Sequence, residues 1–378
     1  MQKSNPSSLY LNVLSSAYAD WLTHLYTSPA KLLDVSRKFQ CSFSEFLNYS
    51  INVYHNQKYL PCFPVDPSDH RFQDKLWSKQ YPFNLYSQLF LSIENLFNDL
   101  SSNVPGVLHH HEHLVNFSGR QLLDMLAPSN FPMTNPEVIK ASVEQSGMNF
   151  VNGYLNLMED VVHNIRHQPP VGTECYQLGV NLAITPGKVI YRNQLMELIQ
   201  YTSTTTKVYP QPILIISAWI MKYYILDLSP ANSMVKYLVD KGHTVFIISW
   251  KNPDAQDHNL TLEDYINLGV MGALKVVNDI IPNKKVHSVG YCIGGTLLMM
   301  AMALMSSEAR NRIESITLLA AQVDFKDAGE LRLFIDKAQL EALDASMQEQ
   351  GYLSGEQMAR CFDMLHAKDL IWSRYIKS

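Results

Sequence analysis

Gly290-Tyr291-Cys292-Ile293-Gly294-Gly295 is the stretch that decides the fold of this 378-residue chain. It follows the short apolar run Lys285–Gly290 and precedes the helical pattern Gly294–Ser306. A sharp turn from a strand into a helix strains the backbone at its centre, and small residues two positions before and after the centre permit the crowding. The pattern therefore predicts that Cys292 is a nucleophile at the elbow between a strand and a helix.

The helix that follows Cys292 gives the elbow a second property that acyl transfer requires. The backbone N–H of Ile293 falls at the predicted helix N-terminus, where it can stabilise an oxyanion. A cysteine suits thioester substrates, because exchange between a substrate thioester and an enzyme thiol is nearly neutral in free energy. These residues favour acyl transfer over hydrolysis. The alternative is a buried cysteine in a glycine-rich turn that does no chemistry.

Outward from the elbow, short β-branched runs alternate with helical runs, which predicts an α/β fold. The four predicted strands are Ile213–Ser217, Thr244–Ser249, Lys285–Gly290 and Ser315–Ala320. Ser229-Pro230 has the pattern of a helix start, and Thr261–Asp264 resembles a capping box that opens a helix to about Ile281. We expect the order βαβαβαβ, forming part of an α/β-hydrolase-type parallel sheet with crossover helices.

The residues that precede this sheet have a helical texture. Segments such as Tyr86–Phe97 and Pro136–Asp160 place apolar residues three and four positions apart. We predict two domains. Residues 1–175 form a mainly helical N-terminal domain, and residues 176–378 form an incomplete α/β-hydrolase catalytic domain with the elbow at 290–295 and the start of a cap region at 327–378.

Composition and charge narrow the functional classes. The formal net charge is -5, so bulk positive charge does not support nucleic-acid binding. The five cysteines are scattered and odd in number, which indicates a reducing, cytoplasmic setting and no disulfide framework. The longest apolar stretch, Leu297–Met305, has nine residues and is too short to span a bilayer. We expect a soluble cytoplasmic protein with neither a signal peptide nor a membrane span.

Several other residues have a chemical and a structural interpretation. His109–His113 contains four histidines, but adjacent ligands rarely converge on one ion, so no metal and no cofactor are predicted. Asp227 and Asp254 could be acids by type, yet both precede the nucleophile, and capping or loop roles are favoured. Three tryptophans could line an acyl tunnel or pack in the core, namely Trp219, Trp250 and Trp372.

Ordered motifs from about Asp66 onward identify the family that this chain resembles. They are Leu126–Phe131, Thr134–Glu137, Asn181–Gly187, Tyr224–Leu228, Gly242–Trp250, Asn252–Asp254 and the elbow with Thr296. In these motifs and their order, the sequence resembles the polyhydroxyalkanoate synthases, or poly-3-hydroxybutyrate polymerases, most closely the long single-subunit type. The resemblance implies polymerisation of (R)-3-hydroxyacyl-CoA, with release of CoA and growth of a polyester on Cys292. It also implies dimers at the surface of polyester granules.

One departure from the family pattern affects the expected oxyanion site. The loop after the first predicted strand usually reads Pro-Pro-x-Ile-Asn-Lys in the family, and here it is Ser217–Lys222. By resemblance and fold, this loop supplies the second backbone donor, which we place at Met221. Loss of the two prolines loosens the loop, because proline restricts its own φ and its neighbour.

A second departure concerns the acid and the base. In this fold the acid and the histidine follow the nucleophile, each after a later strand. His366 is the one histidine after Cys292, and it occupies a position where the family has arginine. The sequence therefore predicts a C-terminally truncated synthase that is inactive or incomplete as this chain alone. The alternative is a non-catalytic truncated relative that acts as a granule-associated or synthase-binding partner.

Overall fold

The computed structural model describes residues 6–55, 60–166, 168–326, 328–334, 337–365, 371–372 and 376. The chain divides into two compact units. The first comprises Met1–Pro169, Gly329–Ala345 and Ala359–Ser378, and the second comprises Pro170–Ala328 and Ser346–Met358. The elbow at Cys292 lies within the second unit.

The first unit is helical, which confirms the prediction for the N-terminal region. Its helices are α1 (Pro6–Tyr26), α2 (Pro29–Tyr54), α3 (Leu76–Lys79), α4 (Phe83–Ser101), α5 (His109–Met125), α6 (Pro136–Glu144) and α7 (Met148–Ile165). The segment Pro136–Asp160, whose spacing of apolar residues indicated a helical structure, forms two helices. Gly147 separates them with a φ of 82°, a left-handed conformation that glycine adopts at low cost and that ends a helix.

A buried ion cluster holds part of the first unit together. The guanidinium of Arg71, whose side chain is 9% exposed, pairs with Asp69 at 2.7 Å, Glu94 at 2.9 Å and Asp124 at 2.9 Å. Its Cζ also lies 5.0 Å from the ring centroid of Phe90. Because Glu94 is on α4 and Asp124 is on α5, the cluster ties both helices to the loop before α3.

The second unit contains a six-stranded sheet and a separate hairpin. The strands of the sheet are β1 (Gly187–Arg192), β2 (Met196–Tyr201), β3 (Ile213–Ile216), β6 (Val245–Trp250), β7 (Val286–Tyr291) and β8 (Ile313–Leu319), and the hairpin pairs β4 (Asp227–Ser229) with β5 (Asn232–Ser233). The order in the sheet is β1-β2-β6-β3-β7-β8. All four predicted strands are present within two residues of their predicted bounds, and β6, β3, β7 and β8 run parallel. The sequence prediction missed β1 and β2, which pair antiparallel.

The central strands are buried on both faces, as predicted for a parallel sheet covered by helices. Each residue of β3 is buried, and so are Val245–Ile248 of β6. β8 lies at the edge of the sheet, where it pairs with β7 alone in the described part of the chain, and its Leu318 is 40% exposed.

Helices connect and follow these strands. They are α8 (Met234–Asp240), α9 (Leu262–Asp264), a π-helical segment (Tyr265–Met271), α10 (Gly272–Ile280), α11 (Ile293–Leu304), α12 (Ser307–Arg310), α13 (Lys337–Gln350) and α14 (Gly355–Leu365). The capping box predicted at Thr261 is confirmed, because its hydroxyl and the Asp264 carboxylate accept hydrogen bonds from each other's N–H groups. The helix start predicted at Ser229-Pro230 was wrong. These residues lie in the β4–β5 hairpin. Ser233 caps α8 instead, because its hydroxyl oxygen accepts a hydrogen bond from the Lys236 N–H at 2.9 Å.

Replacement of Arg71 by methionine should destabilise the first unit by about 3–5 kcal/mol, because three carboxylates would lose their shared cation in a buried site. Equilibrium urea unfolding measures this loss. Arg120→Met is the matched control, because Arg120 pairs with Glu330 where both side chains are at least 42% exposed. That pair should contribute less than about 1 kcal/mol. Equal losses from the two variants would contradict a stabilising role for the cluster.

Candidate active site

Cys292 occupies a strained turn between β7 and α11. Its φ is 54° and its ψ is -131°, a conformation that costs a residue with a Cβ about 1–3 kcal/mol. Backbone hydrogen bonds hold it there, since the Cys292 N–H donates to the Leu319 carbonyl at 2.9 Å and the Cys292 carbonyl accepts from the Gly295 N–H at 2.9 Å. The side chain is half-buried, so the thiol is within reach of a substrate.

Three glycines allow α11 to approach the sheet this closely. A Cβ on Gly290 would overlap the Cα of Gly295, and a Cβ on Gly294 would overlap the carbonyl oxygens at the end of β3. A Cβ on Gly295 would lie 2.5 Å from the Cβ of Ala321. The predicted steric need for small residues on both sides of Cys292 is therefore confirmed, and Gly295 adds a third position that the pattern did not single out.

The start of α11 presents free backbone donors next to the thiol. Ile293 and Gly294 are the first two residues of the helix, and within the described ranges their N–H groups make no hydrogen bond. Such N–H groups carry the partial positive charge of a helix N-terminus and can bind an oxyanion. The position of Ile293 is therefore consistent with the predicted oxyanion donor.

The loop after β3 forms a turn in which the Met221 N–H is already hydrogen-bonded. The Met221 N–H donates to the Ala218 carbonyl at 3.2 Å, so the predicted second donor is free only if this turn opens. The two central residues of the turn, Trp219 and Ile220, make no hydrogen bond through their N–H groups in the part of the chain that the structure describes. Sequence reasoning missed these two donors, because the family pattern directs attention to the position of Met221.

An aromatic cluster lies at the same edge of the sheet as Cys292. Trp219 follows β3 and Trp250 ends β6, and the rings of both lie 5.4 Å from the ring of Tyr265. The carboxyl ends of parallel strands meet at one edge, where α/β folds place their ligands. Trp372 was a third candidate for an acyl tunnel, and it belongs to the first unit.

No described histidine is hydrogen-bonded to Cys292. His287 is at the start of β7, and five residues of strand at about 3.3 Å each put it roughly 16 Å away along the sheet. His243 precedes β6 and stacks on Tyr209, and burial lowers its pKa. His258 is exposed, with Nδ1 2.9 Å from the Ala255 carbonyl oxygen. His366 lies outside the described residues.

Two aspartates have the structural roles that the sequence favoured. Asp254 caps the short helical turn 255–257 through a reciprocal hydrogen bond with Asp257. Asp227 is buried at the start of β4, where its Oδ1 accepts hydrogen bonds from the Thr185 and Ser233 hydroxyls at 2.5 and 2.6 Å. Neither is a described partner of a histidine.

The histidine run His109–His113 begins α5. In this run, His111 Nδ1 lies 2.7 Å from Asp20 Oδ2. The other oxygen of the same carboxylate, Asp20 Oδ1, lies 2.9 Å from Nδ1 of His24 on α1. The hydrogen bond from His111 and the Leu108 N–H lower the pKa of Asp20. Among the residues that the structure describes, no three metal-binding side chains converge as an ion would require. No described helix is both long and apolar enough to cross a membrane.

Two family models match the chain in succession. The alpha/beta hydrolase fold matches residues 211–368, which defines the class of the second unit. The poly-beta-hydroxybutyrate polymerase (PhaC) N-terminus matches residues 68–238.

Curated relatives agree with the polymerase match. The poly(3-hydroxyalkanoate) polymerase of Methylorubrum extorquens is 37% identical over 352 residues, which are 93% of this chain and 58% of the relative. The PhaC subunit of Rhizobium etli is 39% identical over 84% of this chain and 50% of its own length, and that of Rhizobium meliloti is 34% identical over 99% and 61%. The chain thus spans between half and about three fifths of these relatives. It belongs to the poly(3-hydroxyalkanoate) polymerase family.

Replacement of Gly294 by alanine should destabilise the second unit by about 1–3 kcal/mol, because the new methyl group has no room against the backbone of β3. Gly272→Ala is the matched control, since its Cβ would meet its nearest atoms at 3.6 and 3.8 Å, which is ordinary contact. That variant should be neutral or stabilised by up to about 1 kcal/mol through helix propensity. Urea unfolding of both variants measures the difference. If Gly294→Ala were as stable as Gly272→Ala, the close approach of α11 would not exist in solution.

Proposed function

We propose that this protein is a polyhydroxyalkanoate synthase-type acyltransferase that takes an acyl group from (R)-3-hydroxyacyl-CoA onto Cys292. The family supports the substrate class, because its curated members are polyester polymerases. The chemistry of the residue supports the reaction, since a thiol exchanges with a thioester at little cost in free energy. The substrate itself is the CoA thioester, and no further cofactor is part of the proposal.

One observation carries this proposal. Cys292 combines a positive φ of 54° with the free N–H groups of Ile293 and Gly294 at the start of α11. A cysteine that only filled space would not need a strained backbone, which persists where the surrounding structure enforces it and is typical of functional sites. In a nucleophile elbow, such a strained turn presents the nucleophile beside the helix N-terminus, where these donors can meet a developing oxyanion.

The acylation step needs little more than these groups. The Cys292 thiol gives its proton to solvent, and the resulting thiolate attacks the carbonyl carbon of the substrate. A C–S bond forms, and the carbonyl π electrons move to oxygen. The oxyanion then collapses, the bond to the CoA sulfur breaks, and CoA leaves as the thiolate. The N–H donors act only while the oxygen is charged, so they lower the barrier without tightening substrate binding.

Chain growth needs a base as well. The hydroxyl of the next monomer must lose a proton before it attacks the acylated cysteine, and an imidazole is the usual group for this work. Because no described histidine is hydrogen-bonded to Cys292, we propose that these residues alone accept one acyl group and do not turn over. A further chain or segment would then supply the acid and the imidazole.

The finding that no described histidine is hydrogen-bonded to Cys292 also favours a second candidate function. A family member whose thiol contacts no imidazole could serve without catalysis, as a granule-associated protein or as a partner of an active synthase. Acylation of Cys292 discriminates between the two, because a non-catalytic partner has no need of a reactive thiol. Association with polyester granules, homodimer formation and a cytoplasmic setting are further parts of the proposal.

Incubation of the purified chain with 3-hydroxybutyryl-CoA should release no more than about one CoA per chain, with no steady turnover above a Cys292→Ala control, because acylation lacks a following deacylation step. Thiol detection with an acid quench measures the released CoA. Cys175→Ala is the matched control, since Cys175 is an exposed cysteine of the same unit. Steady release that depends on Cys292 would show that the base is present. The absence of any release that depends on Cys292 would favour the non-catalytic candidate.

A further inference from the structure

The carbonyl group of Ser217 lies between a tryptophan and the helix that follows the nucleophile. The indole Nε1–H of Trp250 donates to this carbonyl oxygen at 2.7 Å, and the Ser217 hydroxyl donates to the Ile248 carbonyl at 2.5 Å. On the other side, a Cβ on Gly294 would lie 2.5 Å from the same oxygen of Ser217. Ser217 is 1% exposed, so each of these contacts is protected from water.

The indole is itself held by an uncommon helix. A Cβ on Gly269 would overlap the six-membered ring of Trp250, so only glycine lets the indole lie against this helix. Gly269 is in the π-helical segment Tyr265–Met271, whose Leu268 carbonyl accepts a hydrogen bond from Asn193 Nδ2 at 2.9 Å. π-helical turns are rare and occur often at functional sites.

Ser217 connects two sets of free backbone donors. Its carbonyl belongs to the peptide that leads into the turn Ala218–Met221, where the N–H groups of Trp219 and Ile220 are free among the described residues. Its oxygen also borders the first turn of α11, which carries the free N–H of Ile293. Rotation of the Ser217 peptide would therefore change the position of one set relative to the other.

From these contacts we propose that Trp250 is a positioning residue for the acyl-transfer step. Its indole N–H fixes the Ser217 carbonyl, so that the turn Ala218–Met221 and the start of α11 form one oxyanion-binding site. The π-helical segment and Gly269 seat the indole for this purpose. The inference rests on the proposed function and adds a residue that touches neither the substrate nor the thiol.

Two reactions of the same thiol separate positioning from general damage. Acylation by 3-hydroxybutyryl-CoA passes through an oxyanion, as described above. Alkylation by iodoacetamide forms a C–S bond at a saturated carbon and expels iodide, so no oxyanion develops. A loss of oxyanion geometry should slow the first reaction and leave the second unchanged.

The test compares three variants of the full chain, Trp250→Phe, Gly269→Ala and Gly272→Ala. The first removes the indole donor and keeps an aromatic ring, and the second displaces the indole. The third is the matched control, because it adds the same methyl group to the same helical region without a clash. Peptide mapping by mass spectrometry gives the rate of acylation and the rate of alkylation of Cys292.

The rate of acylation should fall about 10- to 100-fold in Trp250→Phe and Gly269→Ala. This loss is no larger than the one that follows removal of a single oxyanion donor. Alkylation should stay within about twofold in all three, and Gly272→Ala should match the parent chain in both reactions. Equal acylation in Trp250→Phe and the parent, or a parallel loss of both reactions, would overturn the inference.

Hydrogen exchange separates this inference from the proposed function. If the parent chain is not acylated at all, the proposed function fails, and exchange of the Met221 amide, which is hydrogen-bonded to the Ala218 carbonyl, still tests the positioning. This amide should exchange faster in Trp250→Phe and in Gly269→Ala than in Gly272→Ala, with unchanged exchange in β3. Identical exchange in the three variants would show that the indole does not hold the turn.

Discussion

The close approach of α11 to the sheet is the constraint on which the rest of the second unit depends. At the elbow, a Cβ at residue 290 or 294 would overlap backbone atoms and one at residue 295 would overlap the Ala321 side chain, which is why all three are glycines. The same approach forces Cys292 into a conformation that would be unfavourable alone, and it puts the first N–H groups of the helix beside the thiol. Fold and chemistry therefore come from one steric condition, since a looser crossing would remove the strain and the donors together.

The elbow could be predicted from the sequence because its determinants are local. Small residues at fixed offsets around a cysteine, between an apolar run and a helical run, define the turn without knowledge of any distant contact. The four parallel strands were predicted for a similar reason, since burial on both faces leaves a continuous apolar run such as Ile213–Ile216. The capping box at Thr261 is local as well.

The features that the sequence did not reveal depend on distant contacts. β1 and β2 show no regular alternation of polar and apolar residues, and their place in the sheet comes from the pairing of β1 with β2 and of β2 with β6. The helix start at Ser229-Pro230 was plausible by composition, but the pairing of Asp227 with Ser233 overrides it. The sequence identified Trp250 only as an aromatic candidate. Its proposed role depends on a hydrogen bond to Ser217, which is 33 residues earlier in the chain. Gly269 gave the one available signal, as a glycine within a helical pattern.

The central claim, that the elbow makes Cys292 the acyl acceptor, is tested most directly by finding which cysteine receives the first acyl group. After brief exposure to 3-hydroxybutyryl-CoA, peptide mapping by mass spectrometry compares the peptide that contains Cys292 with those that contain the exposed Cys41 and Cys175. Simple exposure favours Cys41 and Cys175, whereas the elbow favours Cys292, which is only half-exposed. The account predicts that the adduct forms first on Cys292. Equal or faster acylation of Cys41 or Cys175 would contradict it.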